Sequence, residues 1–325
     1  MRRSPASARN SAWIKEAYPL KISVSNKVAP APRGWRQDRT AWLFMAPFLL
    51  LFSVFVLIPV AASMALSFTS FDMLQTPKWV FLDNYRRLFL EDDVFLIAVK
   101  NTFFFAVITG PLGYLLSFVM AWFINELNRG VRSVLTLFMY APSLAGNVYF
   151  IWLYIFSGDS KGMINSLLLR MGLITSPVQF LTDSRYNFAI VVLVMIWLSL
   201  GTGFLSFIAG FQGVDKTYFE AAALDGVRNR FQELWYITLP QMVPQLMFGA
   251  VMSISAAFAV GYQCQALTGF PSSNYSTHTV LLHMLDYGTI RFEMGYACTV
   301  AVVLFAVMVL TWALVNFLLR KLSSD

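Results

Sequence analysis

The amino-acid sequence predicts an all-α integral membrane protein with six transmembrane helices. Of its 325 residues, 58% are hydrophobic and only 13% are charged, whereas about a quarter of the residues in an average soluble domain are charged. Six apolar stretches have the length of about 20 residues that crosses a bilayer, and they contain no Lys, Arg, Asp, Glu or His. They cover residues 42–68, 103–124, 133–156, 188–210, 245–268 and 297–319.

The distribution of Lys and Arg predicts that both termini are cytoplasmic. In that orientation the cytoplasmic segments carry 16 of the 24 basic residues and the three outer loops carry 8, as the positive-inside rule requires. The predicted organisation is a basic cytoplasmic arm at residues 1–41, a six-helix transmembrane domain at 42–319 that includes a cytoplasmic insert at 211–244, and a cytoplasmic tail at 320–325.

The N-terminal arm accounts for much of the net charge of +7. It has no apolar run before Trp42, so it is not a cleavable signal peptide. We expect a disordered, orientation-setting tail that touches anionic membrane lipid, and we expect no nucleic-acid partner.

The predicted spans lack the charged and histidine side chains that proton-driven pumps, ion exchangers and voltage sensors use at membrane depth. The energy for any transport should therefore come from outside the bilayer, with sodium sites built from carbonyls and hydroxyls as the open alternative. Helix-breaking residues are present instead. Pro111 is expected to loosen the second span, and Pro142 with Gly146 the third.

Four polar or aromatic residues within the spans are candidates for a substrate path: Tyr149, Trp152, Gln263 and Gln265. Aromatic faces stack on sugars, and amides bond hydroxyl groups without carrying a charge. The alternative interpretation is that these groups make interhelical hydrogen bonds and interfacial anchors, and both can be true.

The polar insert at residues 211–244 is predicted to form two short helices across the membrane face. Thr217 and Glu220 have capping-box spacing, so the first helix is expected to begin at Thr217. Gly226 then supplies a turn or a close backbone approach. On these residues alone, an amphipathic loop resting on lipid headgroups is an equally good interpretation.

The second helix of the insert is predicted from Phe231, Leu234 and Trp235, which recur at helical spacing. Pro240 and Pro244 are expected to mark its exit into the fifth span.

The insert contains Glu220-Ala221-Ala222, then Asp225-Gly226, then Ile237-Thr-Leu239-Pro240. This pattern resembles the EAA loop of permease subunits from binding-protein-dependent ABC importers, which reads E-A-A, three residues, G, nine residues, I-x-L-P. Here ten residues separate Gly226 from Ile237, and the extra residue falls around positions 228–230. Weaker similarities to sugar-importer permeases extend over nearly the whole chain beyond the arm.

The resemblance implies a type I ABC importer permease fold in the bacterial cytoplasmic (inner) membrane. It assigns ATPase coupling to Glu220, Ala221, Ala222, Asp225, Gly226, Leu239 and Pro240. The implied partners are a second permease subunit, two ATP-binding subunits that bind ATP and Mg, and an extracytoplasmic solute-binding protein that lands on the outer loops at 71–98 and 157–187. The sequence has no Gly-x4-Gly-Lys-Ser/Thr phosphate loop, so this chain is not the ATPase, and we expect it to bind no cofactor.

The implied cargo is a sugar, either an oligosaccharide or a polysaccharide fragment, including acidic ones such as alginate. Another solute such as glycerol-3-phosphate is an open alternative, and an integral membrane glycosyltransferase or a passive channel are others. The residues that an enzyme would need gather in the last outer loop, but they match no metal or catalytic motif. We expect them to be solvated: His278, His283, Asp286 and Glu293.

Overall fold

The computed structural model describes residues 39–146 and 148–324. The predicted basic arm therefore lies outside the described residues except for its last three, which belong to the first helix. The last helix continues through Ser324 and so includes most of the predicted tail at 320–325; Asp325 lies outside the described residues.

The described chain is almost entirely helical, and its contacts divide it into two units, one ending at Ile58 and one beginning at Pro59. In chain order the α-helices are α1 (Arg39–Phe52), α2 (Ile58–Leu66), α3 (Asp83–Leu90), α4 (Asp93–Asn125), α5 (Arg129–Leu144), α6 (Tyr149–Ile155), α7 (Met163–Arg170), α8 (Asn187–Leu198), α9 (Thr202–Gly213), α10 (Lys216–Leu224), α11 (Arg230–Glu233), α12 (Leu239–Gln241), α13 (Val243–Phe258), α14 (Tyr262–Thr268), α15 (Val280–Leu285) and α16 (Met294–Ser324).

Shorter elements complete the described chain. Single π-helical turns occupy Ser53–Leu57, Leu234–Thr238 and Asp286–Ile290, and a 3-10 turn occupies Ser273–Tyr275. Strands β1 (Thr69–Ser70) and β2 (Lys78–Trp79) form an antiparallel pair, with Thr69 opposite Trp79.

Four helical stretches of the described chain are long and apolar enough to cross a membrane: Trp42–Leu66, Asp93–Asn125, Asn187–Gly213 and Met294–Phe317. Two bent helix pairs bring the number to six if each pair is one span. They are α5 with α6, and Arg230–Gln241 with α13, the latter bent by 82°. The predicted all-α, multi-span architecture is thus confirmed.

The breaks within the spans differ in part from the prediction. The third span is interrupted after α5, close to Pro142 as expected, but α4 runs for 33 residues through Pro111 without a break. A proline inside a helix removes one backbone hydrogen bond while keeping a helical φ, so packing on both sides can hold the helix together. The fourth span is interrupted instead, between α8 and α9.

Helix α4 is the centre of the second unit and packs against α8, α9 and α13. The break between α8 and α9 fits directly against it. The Ser117 hydroxyl donates to the Ser199 carbonyl at 2.9 Å, and a Cβ at Gly113 would lie 2.7 Å from the Ser199 Cβ. A larger residue at position 113 would push the two spans apart, because small residues allow close helix packing in membranes.

The two ends of α4 contact different parts of the protein. At 1.5 Å per residue this helix is about 50 Å long, so its termini lie at opposite ends of the bundle. Its N-terminal end packs with α3, α15 and the start of α16 around a buried cluster that includes Leu88, Phe95 and Tyr296. Its C-terminal end lies beside the insert, since Glu126 pairs with Arg230.

Candidate functional site

The first helix of the insert, α10, begins one residue earlier than the sequence predicts. The Asp215 side chain accepts a hydrogen bond from the Thr217 backbone N–H at 3.0 Å and is the N-cap. The predicted start at Thr217 is wrong because Asp is at least as good an N-cap as Thr and lies just before it. Glu220 is therefore left exposed on the second turn of the helix.

Gly226 ends α10 in a Schellman motif. The Val227 N–H donates to the Ala222 carbonyl at 3.0 Å, the Gly226 N–H donates to the Ala223 carbonyl at 3.4 Å, and Gly226 has φ +94°. This positive φ is what favours glycine here. A Cβ at Gly226 would meet no atom within 4 Å in the described structure. Space inside this chain therefore does not require glycine, whereas a partner packed closely against the turn would.

The second helix of the insert starts at a cap formed by Asn229, whose side chain accepts from the Gln232 N–H at 2.8 Å. It continues as the π-helical turn Leu234–Thr238 and then α12, which holds Leu239 and Pro240. The exit into the next span is the bend around Met242, which lies between Pro240 and Pro244, the two prolines predicted to mark it. Proline is tolerated near the end of this helix because its fixed φ is helical, although its ring removes one backbone hydrogen bond.

The π-helical turn also bears on the ten-residue spacer before Ile237. A π turn holds one more residue than an α-helical turn, because its hydrogen bonds run from i to i+5. The irregular turn lies at 234–238, whereas the pattern places the extra residue around 228–230. The π turn can accommodate the tenth residue while Leu239 and Pro240 stay on the helix.

Arg230 joins the insert to the end of α4. Its guanidinium pairs with Glu233 at 2.7 Å and with Glu126 at 3.5 Å. These pairs are partly exposed, so each contributes at most about 1 kcal/mol. Between the insert and the end of α4 lies a groove of about 610 Å³, and Glu220 lines it.

The surface of the insert is unusually apolar for an exposed turn. Leu224, the last residue of α10, is 90% exposed. Four aromatic residues nearby are also at least half exposed: Tyr218, Phe231, Trp235 and Tyr236. Among the residues predicted for coupling, Glu220, Ala221, Asp225, Gly226 and Pro240 are exposed, and Ala222 and Leu239 are partly buried. Exposed apolar surface of this kind marks a site of protein or membrane contact.

A second feature is a cavity of about 220 Å³ at the breaks in the spans. Gln263 lines it, together with four hydroxyl side chains that are not among the predicted path residues: Thr109, Ser199, Thr202 and Ser253. The rest of its wall is made of Gly, Ala, Met and Leu. The run Ser199-Leu-Gly-Thr-Gly, which interrupts an otherwise apolar stretch, is the sequence signal that points to part of this wall.

The other three residues predicted for the path do not line this cavity. Tyr149 packs on Tyr262, with ring centroids 5.8 Å apart, and Trp152 packs on Trp197 at 5.3 Å. The Trp152 Nε1 is buried and has no hydrogen-bond partner among the described residues. Gln265 is exposed. Tyr149 thus packs against α14, the helix that contains Gln263. Gln265 lies on the exposed face of the same helix.

The expectation that the last outer loop is solvated is wrong for its two histidines. His278 is 2% exposed and His283 is 1% exposed. His283 lies 3.1 Å from Asp92 at the start of α4 and 3.3 Å from His278. The Asp286 side chain is only 13% exposed, and Glu293 pairs with Arg87. The covering residues come from helices remote in sequence, so spacing within the loop could not reveal the burial.

Known proteins resemble this chain over most of its length. The family described as "Binding-protein-dependent transport system inner membrane component" matches residues 113–324. The probable ABC transporter permease protein YesP of Bacillus subtilis (strain 168) is 32% identical over 90% of this chain and 93% of YesP. The lactose transport system permease protein LacF of Rhizobium radiobacter is 29% identical over 86% of this chain and 93% of LacF.

Two further similarities concern other cargoes. The sn-glycerol-3-phosphate transport system permease protein UgpA of Brucella abortus biovar 1 (strain 9-941) is 28% identical over 89% of this chain and 94% of UgpA. A chain in the crystal structure of a bacterial ABC transporter involved in the import of the acidic polysaccharide alginate has a TM-score of 0.72 at 23% identity, covering 88% of this chain and 98% of that chain.

The structural similarity confirms the predicted ABC importer permease fold. The relatives are transport subunits, so the prediction of a transport subunit rather than a membrane enzyme is also confirmed. Because the family match covers more than half of the sequence, the chain belongs to the binding-protein-dependent transport system inner membrane components, the permease subunits of ABC importers.

Proposed function

We propose that this permease subunit imports a sugar, as an oligosaccharide or a polysaccharide fragment, through the bacterial cytoplasmic membrane, and that an ATPase drives it through the coupling segment, residues 211–244. The observation that carries the proposal is the exposed turn formed by Leu224 and Gly226. It is an apolar projection at one end of the bundle, with an exposed Leu224 side chain beside a glycine, which is the shape that a docking partner needs.

The ATPase must be a separate subunit, because this sequence lacks a phosphate-binding loop. Two ATP-binding subunits would hold ATP and Mg beneath two paired permeases. Closure of the ATPase pair would pull on the coupling segment, and Arg230, Glu126 and the bend at Met242 would pass that movement to α4 and α13. The result is a rigid-body switch between inward- and outward-facing states.

Orientation follows from the same assignment. If the coupling segment faces the cytoplasmic ATPase, then the N-terminal end of α4 faces outwards. The β1–β2 hairpin, α3, α7 and residues 269–293 would then form the surface that receives the solute-binding protein, on which the family's transport depends.

The cavity favours a neutral, hydroxyl-rich cargo. Its polar groups are one amide and four hydroxyls, and no charged side chain lines it among the described residues. Such groups satisfy sugar hydroxyls in both directions, as donors and acceptors. A carboxylated sugar or glycerol-3-phosphate would have to find its counter-charge elsewhere, for instance on the second permease.

The cargo is tested by ATPase stimulation of the complete importer, reconstituted with its own solute-binding protein. The panel contains neutral di- to pentasaccharides, alginate oligosaccharides and sn-glycerol-3-phosphate. Stimulation by a neutral oligosaccharide supports the proposal. Stimulation by glycerol-3-phosphate alone would contradict the sugar assignment while leaving the coupling assignment untouched.

Replacing Gln263 by Ala should weaken uptake, because one neutral hydrogen bond contributes about 0.5–1.5 kcal/mol, or roughly two- to tenfold in apparent KM. Gln265→Ala is the matched control. It removes the same amide two residues away, from an exposed position outside the cavity, and should leave the KM unchanged. Equal effects of the two variants on labelled-sugar uptake would show that the cavity is not the path.

A further inference from the structure

Three side chains form a buried hydrogen-bonded chain at the end of α4 opposite the coupling segment. The Asp92 carboxylate lies 3.1 Å from the His283 Nε2, and the His283 Nδ1 lies 3.3 Å from the His278 Nε2. These are the two histidines of the whole sequence. The Asp92 side chain is only 8% exposed, and both histidines are almost fully buried.

The hydrogen bonds determine which nitrogen carries each proton. A carboxylate only accepts, so the His283 Nε2–H donates to Asp92, and the neutral His283 ring accepts at Nδ1. His278 must then donate from Nε2 and keep a free lone pair on Nδ1. That Nδ1 is buried and has no hydrogen-bond partner among the described residues. Both rings are neutral in this arrangement, and the chain ends in a vacant acceptor.

The surrounding charged groups would stabilise a protonated imidazole only weakly. The acidic groups facing it are Asp92, Asp286 and Glu293, and the basic groups are Arg87 and Arg291. Four of these five are already paired with each other: Arg87 with Glu293 at 2.5 Å, and Arg291 with Asp286 at 2.8 Å. Both Arg side chains also stack on Tyr287, with Arg291 4.3 Å from its ring centroid.

Burial is the main cause that lowers the pKa of His278, to about 4, and the neighbouring His283 lowers it further. Burial also lowers the pKa of His283, although Asp92 opposes it. Burial by itself would raise the pKa of Asp92, but hydrogen bonds from Tyr296 and from the Phe95 N–H outweigh it and lower that pKa. Asp92 therefore holds its negative charge more firmly than an ordinary Asp side chain does.

The histidine chain lies within a loop, residues 269–293, that is also held by other polar contacts, among them the Arg87–Glu293 ion pair and the Thr268–Thr277 hydroxyl pair. The Val280 N–H donates to the Thr102 hydroxyl of α4 at 2.9 Å, and Asn101 donates to the carbonyls of Tyr275 and His278. Asn187 of α8 donates to the Ser276 hydroxyl at 2.7 Å. The loop is thus joined to α4 and α8, and its helix α15 packs on α16 at one end of the bundle.

We propose that the Asp92–His283–His278 chain is a proton-sensitive latch, which holds residues 269–293 against the start of α4 while both imidazoles are neutral and releases them when one takes up a proton. Protonation buries a charge, and double protonation also sets two N–H groups against each other at 3.3 Å. Release returns the histidines to water. The latch is independent of the cargo, and it would make the outer face of the permease respond to acidity.

The sign of the effect follows from the direction of the shifts. Both histidines have a lower pKa in the closed loop than the ordinary value of 6.5. The open loop therefore binds more protons below pH 6.5. The latch is at full strength above pH 6.5 and weakens as the pH falls towards 4. Near that pH the proton uptake that favours the open loop levels off.

The test is hydrogen exchange by mass spectrometry on the complete importer in nanodiscs between pH 7.5 and 4.5, corrected for intrinsic exchange rates. Peptides within 269–293 should lose protection below pH 6.5, by up to about tenfold per pH unit for each proton taken up. Peptides from α8 should keep theirs. Unchanged protection of 269–293 in the unmodified protein down to pH 4.5 would overturn the proposal without any variant.

A double variant identifies the groups responsible. His278→Gln with His283→Gln keeps an amide donor and acceptor at each position but removes both titrating groups. Its protection of 269–293 should be independent of pH over the same range. If residues 269–293 of the double variant are already unprotected at pH 7.5, the single variant His278→Gln is measured instead. Its protection in this loop should fall less steeply with decreasing pH than that of the unmodified protein. The same slope in either variant would contradict the latch.

Discussion

Gly226→Asp is expected to leave the protein inserted in the membrane but to abolish substrate-stimulated ATP hydrolysis by the complete importer. The position has φ +94° and open space around it within this chain, so the local cost is only the strain of a positive φ, about 1 kcal/mol. At a docked interface the new carboxylate would be buried without a partner, which costs several kcal/mol. Since 1.4 kcal/mol is tenfold in affinity, coupling should fall by well over tenfold.

Gly172→Asp is the control for that variant. Gly172 also has a positive φ, +70°, and also has no atom within 4 Å of a built Cβ, but it follows α7 rather than α10. Its backbone strain should match that of Gly226→Asp, while the ATPase should still copurify with the importer. Copurification is the readout for this control because α7 lies on the face proposed to receive the solute-binding protein. Normal substrate-stimulated ATP hydrolysis in the Gly226→Asp importer would show that the turn has no role in coupling.

Asp92→Ala is expected to destabilise the permease by about 3–5 kcal/mol, the usual cost of removing one partner from a buried charged network. The carboxylate caps α4 by accepting from the Phe95 N–H at 2.8 Å, and it also accepts from the Tyr296 hydroxyl at 2.7 Å. His283 and Tyr287 would lose their acceptor too. The measurement is thermal unfolding of the purified importer, read by a thiol-reactive dye that reaches the buried Cys264 only on unfolding.

Two variants bracket this result. Asp92→Asn keeps an acceptor and the cap but loses the charge, so its loss of stability should be intermediate. Asp93→Ala removes the adjacent carboxylate, which is exposed and acts only on the helix dipole, and should cost at most about 1 kcal/mol. An Asp92→Ala protein as stable as Asp93→Ala would show that the buried network does not hold this end of the bundle.

The spans and the coupling turn could be predicted from the sequence because their signals are local. Runs of apolar residues give the membrane class directly, and Gly226 marks a turn whose positive φ the structure confirms. The start of α10 was displaced by one residue because two good cap residues, Asp215 and Thr217, lie close together. The break between α8 and α9 falls in the local run Ser199-Leu-Gly-Thr-Gly, but its packing against Ser117 of α4 is a long-range contact that the sequence could not predict.

The burial of His278 and His283 could not be predicted for a related reason. Asp92 precedes His283 by 191 positions, and Tyr296 and Phe95 enclose the ring from two different helices. Loops rich in His, Asp and Glu are usually solvated, so composition favours the wrong answer. Only the assembled end of the bundle shows that the polar residues of this loop face inwards.

The central claim, that residues 211–244 couple this permease to an ATPase in trans, is tested most directly by gentle affinity purification from native membranes with mass spectrometry of the bound proteins. We expect a second six-span permease and an ATPase with a phosphate-binding loop to copurify, and we expect the ATPase to be lost when Glu220 and Gly226 are both replaced. Copurification of the ATPase in equal amount with that double variant, or a permease that purifies without any ATPase, would contradict the claim.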